Sequence, residues 1–297
     1  MKLAVGPVLY YWSREALLDF YAEVARSSAD VVYLGEVVCS RRHSLRFEDW
    51  LGLARELRSA GKEVVLSSQA LLESEAELRT LRQLARNGEF TVEANDASAL
   101  ALLAGAPGFV AGPHLNVYNE TTLAWIAELG AKRWVPPVEL GREALRVLQQ
   151  KRPSGLETEV FAYGRLPLAF SARCFTARHY DLPKDDCRFR CLEHPAGLPL
   201  ATRDGKPFLT LNGTQTQSSR VHDLSAAIGE LRELGVDILR ISPQESRFDE
   251  ILSVFRALIE GTISVGDACR RLEATRSVAA CNGYWHGQPG MEYRIDA

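Results

Sequence analysis

The chain has 297 residues, 46% of them hydrophobic, enough to bury a large core as two modest domains or as one barrel-sized domain. Its 35 basic and 38 acidic residues are interspersed and leave a net charge of −3, so the basic stripe that a phosphate backbone requires is missing and nucleic acid is not an expected partner. No run of about 18 apolar residues occurs, which excludes an integral membrane segment of the helical kind.

In chain order, "LAVGPVLYY" (3–11) reads as a buried first strand. It is a poor signal peptide, because no small-residue cleavage site follows and the next residues are charged, so a cytoplasmic protein is expected. "DVVYLGEVV" (30–38) reads as the second strand. A phrase of amphipathic helix, Gly stop and apolar strand then recurs, in "WLGLARELRSAGKEVVLSS" (50–68) and "ELRTLRQLARNGEFTVEAND" (77–96). "GFVAGPHLNVY" (108–118) supplies a fifth strand, "TTLAWIAELGAKRWVPPVEL" (121–140) repeats the phrase, and "TEVFAYGRLPL" (158–168) gives a seventh strand. In "HDLSAAIGELRELGVDILRISP" (222–243), Leu224, Ala227, Ile228, Leu231 and Leu234 keep helical spacing, Gly235 supplies the stop, and 236–241 is the eighth strand. "FLTLNG" (208–213) is a candidate ninth.

Strands alternating with helices imply a parallel sheet covered on both faces. Eight of them at this length predict an α/β fold of the (β/α)8, TIM-barrel-like kind, regular or irregular, as one domain over 1–297. An open doubly wound sheet is the rival, weakened by the absence of a G-x-G-x-x-G after any strand and of a P-loop. The segment from about 170 to 206, after strand seven, is then a long cysteine-bearing loop of the sort that is usually functional inside a compact domain. Polar residues follow the strands where a barrel carries its chemistry: Glu36, Cys39, 67–69, Glu93, Asn95, His114, Asn116, Tyr163, Arg165, Asn212, Arg240 and Ser242, with apolar side chains expected to fill the interior below.

Three of the six cysteines fall within eighteen residues, as Cys174-x12-Cys187-x3-Cys191. In a reducing compartment such clustering points to metal or catalysis rather than disulfides. Thiolates select zinc or iron–sulfur clusters, and both commonly take four protein ligands. A fourth donor is therefore needed, from Cys39, Cys269, Cys281, His179 or His194. Barrel geometry favours Cys39, at a strand end on the same rim. Cys269 lies at a helical core position beside Ala268 and reads as a small buried hydrophobe, and Cys281 is ambiguous. The competing reading is three unliganded thiols on an ordered loop, and spacing alone does not separate zinc from a cluster.

"ETEVFAYGRLPLAFSARCFTARHY" (157–180) resembles the signature of the collagenase-like U32 peptidase family, with Glu159, Phe161, Gly164, Ser171 and Cys174 matching. Leu168 stands where the family's usual first Cys would be, and Tyr163 replaces its usual His. "LGEVVCSRRHSLRFEDW" (34–50), "VEANDASAL" (92–100), "FLTLNGTQTQS" (208–218) and "ILRISPQ" (238–244) extend the likeness over nearly the whole chain, toward members needed for oxygen-independent ubiquinone biosynthesis.

The resemblance implies a 4Fe-4S cluster on Cys39, Cys174, Cys187 and Cys191. It further implies a heterodimer with the related UbiU that hydroxylates a ubiquinone precursor, prephenate as hydroxyl donor, and the accessory protein UbiT. The peptidase name does not carry over, since neither H-E-x-x-H nor G-x-S-x-G occurs. A cluster held by four thiolates typically transfers electrons or supports the fold, so a scaffolding subunit whose cluster shapes its partner interface is an alternative, and a zinc protein another.

Around these ligands, Arg173, Arg178, Arg188 and Arg190 would offset cluster charge or form a solvated surface. Arg165 or Arg240 could fork onto an anionic small molecule, against the plainer reading of a Glu–Arg pair that closes the barrel mouth. His114 and His179 are candidate proton donors or hydrogen-bonded structural residues. Trp50, Trp125 and Trp134 read as core.

Overall fold

The computed structural model describes residues 1–106 and 108–294; Pro107 and the last three residues of the expected 1–297 domain lie outside the described residues. The elements in order are β1 (Lys2–Val5), α1 (Arg14–Arg26), β2 (Val31–Leu34), α2 (Phe47–Ser59), β3 (Glu63–Ser67), α3 (Glu75–Ala85), β4 (Thr91–Ala94), α4 (Ala97–Leu103), β5 (Phe109–Ala111), α5 (Glu120–Glu128), β6 (Ala131–Trp134) and α6 (Arg142–Lys151). There follow β7 (Glu157–Phe170), α7 (Phe175–His179), β8 (Leu198–Ala201), β9 (Pro207–Asn212), β10 (Gln215–Asp223), α8 (Ile228–Glu233), β11 (Ile238–Ile241), α9 (Phe248–Glu260), α10 (Val265–Thr275) and β12 (Ala280–Cys281). Among the described residues no helix is long and apolar enough to cross a membrane.

Side-chain caps start many of the helices. Ser13, Ser74, Asp96, Asn119 and Ser264 each accept a backbone N–H of the first turn, and Ser74 with Glu77 forms a reciprocal capping box. Among the described residues, β1 to β7 pair in sequence, and β11 pairs in parallel with both β7 and β1, closing an eight-stranded parallel (β/α)8 barrel. The outward faces of the strands, with Leu3, Val5, Val32, Leu34, Leu66 and Val92, pack under the helices in the main core.

The inward faces depart from the expectation of an apolar filling. Ala4, Val31, Tyr33, Val65, Val110, Val135 and Ile238 form one small cluster, but the middle of the barrel is ionic. Arg240 lies 2.8 Å from Glu93 and 2.6 Å from Glu159, Tyr33 donates its hydroxyl to Glu159 at 2.6 Å, and Arg133 approaches Glu159 at 3.6 Å. At the base Arg133 also bridges Glu63 and Glu157, at 2.6 and 2.7 Å. Buried charges persist only when paired in this way.

β7 is the hinge between barrel and appendage. Its first half pairs with β6 and β11, and from Tyr163 onward it pairs antiparallel with β10, which pairs with β9 and β9 with β8. Gly164 sits at the change-over with φ +129°, where an added Cβ would lie 2.5 Å from the Ser242 side chain. The 170–206 segment is thus not a bare loop: α7, two 3-10 turns (Lys184–Asp186 and Arg190–Glu193) and β8 occupy it. The ninth strand is present as β9. β10, however, occupies 215–223, where the helix was expected to begin by His222; a 3-10 turn and α8 follow it.

Candidate functional site

The Cys39 loop is built on Glu36 and Arg42. After β2, Glu36 Oε1 accepts the backbone N–H groups of Val38 and Cys39, at 2.9 and 3.1 Å. Arg42, 6% exposed, stands 3.5 Å from that carboxylate and donates to the Leu9 carbonyl and to Asn212 Oδ1, both at 2.7 Å. Burial raises the pKa of Glu36, and Arg42 opposes that rise.

The turn between β9 and β10 clamps this loop to the cysteine segment. Thr214 Oγ1 donates to the Val38 carbonyl (2.7 Å), the Phe175 N–H reaches the Gly213 carbonyl (2.8 Å), and Thr176 Oγ1 accepts the Gly213 N–H (3.0 Å). Gly213 has φ +66°, and a Cβ there would stand 3.0 Å from Arg42 Nη2 and 3.7 Å from Cys191 Sγ. A side chain would therefore enter the space between the guanidinium and the thiols.

Three of the four sequence-predicted cysteines meet on the far side of that turn. Cys174 caps α7, its Sγ accepting the Ala177 N–H at 3.3 Å, and packs with Cys187, Ala177 and Leu182. Cys174 and Cys191 lie close enough to interact, which pushes the Cys174 pKa up and the Cys191 pKa down; Arg42 and Thr176 stand near Cys191 and favour its thiolate. Cys39 is close enough to feel the charge of Cys191, and burial raises its own pKa. All six cysteines are free. Among the described residues, no three His, Cys, Asp or Glu side chains already stand at metal-holding distances.

Whether the site suits a cluster is a matter of its donors. Four thiols from two segments are gathered around one clamp, and a buried cation, Arg42, whose Nε has no hydrogen-bond partner, stands beside them. A tetrathiolate iron–sulfur site carries net negative charge and gains from buried donors to sulfur. The residues fit the group. Cys281, buried in β12 with its pKa pushed up to about 12 by that burial, packs with Phe161 and Leu166. Cys269 is only partly buried, not fully buried as its helical position implied, and lies 3.7 Å from Ser225 Oγ. His194 bonds the Tyr180 hydroxyl at 2.6 Å, and His179 is exposed against the Tyr180 ring. Arg173, Arg178 and Arg188 are exposed, while Arg190 lies over the Tyr180 ring and pairs with Glu193.

The predicted rim residues separate into groups. Glu93 and Arg240 belong to the barrel interior, so Arg240 is engaged by carboxylates instead of standing ready for an anion. Arg165 is likewise engaged, donating to the Ser218 and Ser219 carbonyls. Tyr163 faces outward, its ring 5.6 Å from Phe255 and its hydroxyl 3.3 Å from Thr275 Oγ1. Asn95 donates to the Ser68 carbonyl and Glu93, and Ser67 donates to Glu93.

The barrel mouth, lined by Glu93, Asn95, His114, Arg240 and Ser242, has a cavity of about 20 Å³, room for one water. His114 is half-buried there, its pKa lowered to about 4 by desolvation, which makes it a poor acid near neutrality. Asn116 takes a left-handed conformation (φ 56°) after the turn that holds His114. Of the tryptophans, Trp134 is core and Trp50 half-buried, but Trp125 is 51% exposed, because it sits on the outer face of α5.

Sequence reasoning passed over Arg42, Gly213 and Thr214. The first lies three residues after Cys39, but in the polar run 40–44 nothing local separates it from its neighbour Arg41.

The sequence profile of Peptidase family U32 matches residues 18–294. Among solved structures, the U32 peptidase Mk0906 is similar over 82% of this chain and 93% of its own, at 13% identity and a TM-score of 0.46. Dihydropteroate synthase from Anaplasma phagocytophilum covers 89% of this chain and 99% of its own (10% identity, TM-score 0.41). The tryptophan synthase alpha-subunit from Pyrococcus furiosus covers 92% and 98% (9%, 0.44).

Proposed function

The chain belongs to Peptidase family U32, and from that premise we propose that it acts as UbiV does: a 4Fe-4S-binding subunit of an oxygen-independent hydroxylase of ubiquinone precursors, working with UbiU. The observation that carries this reading is the gathering of Cys39 with the Cys174, Cys187 and Cys191 segment around Arg42. Cys39, Cys174, Cys187 and Cys191 would hold the cluster. When bound, such a cluster passes single electrons, which suits removal of electrons from a ring in the absence of oxygen. Arg42 offsets thiolate charge and keeps the two ligand segments in register, while Thr214 and Gly213 hold the clamp closed. Prephenate is the proposed hydroxyl donor and UbiT the accessory protein.

The test is anaerobic purification followed by iron and sulfide analysis of Cys39→Ala and Cys269→Ala. The first should lose the cluster and the second retain it. Equal iron in both would end the ligand assignment, and an iron-free parent protein that still supports quinone formation would end the reading as a whole.

A further inference from the structure

The ring of helices around the barrel is split between α2 and α3. α2 packs against α1 and α3 against α4, whereas a cavity of about 490 Å³ opens between α2 and α3 at the rim. At the far end Arg55 of α2 reaches Glu89 in the loop after α3 (3.1 Å), and at the rim Ser40, in the loop before α2, lies beside Glu77 of α3. Leu34 and Leu66 form the floor, Phe47 and Trp50 one wall, Leu81 and Leu84 the other. Protein interiors rarely keep voids larger than a water molecule, and pockets that hold small molecules span roughly 300–1,000 Å³ with mostly apolar walls. A cleft of this size and lining has the form of a ligand site.

Its inner polar groups lie at one end, on the loops after β2 and β3, among them Glu36, Arg42, Ser68 and Gln69, while the exposed side chains of His43, Arg46, Thr80 and Gln83 line its mouth. The inner charged groups there are already hydrogen-bonded or paired. Glu36 faces Arg42 at 3.5 Å, and the Glu77 carboxylate accepts the N–H groups of Glu73 and Ser74. Such a site suits a neutral hydrogen-bonding head on an apolar body, since a carboxylate or phosphate would have to compete with these pairs. Arg42 lines the cleft and also stands with Cys191 beside Gly213, so the polar end of the cleft adjoins the thiol site.

We propose that this cleft binds an alkylated phenol, with its hydroxyl at Ser68 and Gln69 and its chain running between α2 and α3. That the ring is a quinone precursor rests on the function proposed above; the binding itself does not.

The probe is 4-octylphenol, titrated calorimetrically into the full-length protein, with octylbenzene and octanoate as controls. Saturable binding of 4-octylphenol is expected, with octylbenzene weaker by about three- to tenfold for the lost hydrogen bond and octanoate weaker by about tenfold or more. Thr80→Trp, which fills the cleft from the exposed face of α3, should weaken binding by about tenfold or more, whereas Val147→Trp on the surface of α6 should leave it unchanged. Gln69→Ala keeps the packing and should bring 4-octylphenol down toward octylbenzene. No saturable heat, equal binding by Thr80→Trp once circular dichroism shows it folded, or equal affinity for phenol and octanoate would overturn the proposal. Iron content is not read in these titrations, so loss of the cluster hypothesis would leave the result intact, and the reverse holds as well.

Discussion

Arg42 and Asn212, 170 residues apart, are joined by a 2.7 Å hydrogen bond that ties the Cys39 loop to the turn holding the cysteine segment. Asn212 completes the tie by donating to the same Leu9 carbonyl that Arg42 uses. Arg42→Met would leave the partly buried Glu36 without its cation and Asn212 without its donor. Loss of one partner of a buried pair should cost about 3 kcal/mol in urea denaturation. The same variant, with all four cysteines intact, should also bind less iron than the parent after anaerobic reconstitution. An Arg42→Met protein that is as stable and as iron-rich as the parent would show the clamp to be incidental.

Glu159 is the centre of the barrel's ionic core, accepting from Arg240 and Tyr33 and facing Arg133. Glu159→Gln keeps shape and removes the charge, leaving two buried guanidinium groups with less compensation. A loss of about 3–5 kcal/mol is expected by chemical denaturation. If the loss is under about 1 kcal/mol, Glu93, Glu157 and Glu63 suffice for both arginines and the network is not centred where the distances place it.

Four of the eight barrel strands were legible because each follows an amphipathic helix and a Gly stop, as in 222–243, and the other four because they are apolar runs. Their lengths were not. The apolar run 3–11 pairs only through Val5, and 7–11 are apolar because they underlie the loops above. The run 30–38 pairs only through Leu34, where Gly35 turns the chain at φ +123°. β10 was missed because Gln215, Gln217 and Ser218 look solvent-facing, yet they are buried at 0–1% exposure. Their cover is a long-range β-sheet that no local period reports. Glu93 and Arg240 were noticed but placed on the rim, since alternation alone does not tell a mouth residue from one satisfied inside a charged barrel. The cysteine spacing was legible, whereas Arg42 as its companion depended on a contact with residue 212.

His222 is buried and His114 half-buried, and desolvation lowers the pKa of each to about 4. The unfolded value lies near 6.5, so between about pH 6.5 and 4 the unfolded chain binds more protons and stability falls as pH falls; above that window both are neutral in either state and cost nothing. From pH 7 to 5 each should remove about 2 kcal/mol. His114→Asn, compared with the parent by urea midpoints at both pH values, should therefore lose less stability on acidification. Parallel pH dependence in the two proteins would mean that His114 titrates in the fold as it does in the unfolded chain.

Gly164 marks where β7 stops being a barrel strand and becomes the arm that carries the cysteine segment. Its φ of +129° is closed to most L side chains, and a Cβ would meet Ser242 at 2.5 Å on the neighbouring barrel strand's end. Gly164→Ala must either shift Ser242 or bend β7, and about 3 kcal/mol of stability should be lost. Gly164→Ala combined with Ser242→Gly removes the steric part and leaves the backbone strain. Partial recovery of the denaturation midpoint in the double variant separates the two costs. Full recovery would show that the left-handed backbone is not what this position requires, and no recovery would show that the contact with Ser242 is not what makes it strict.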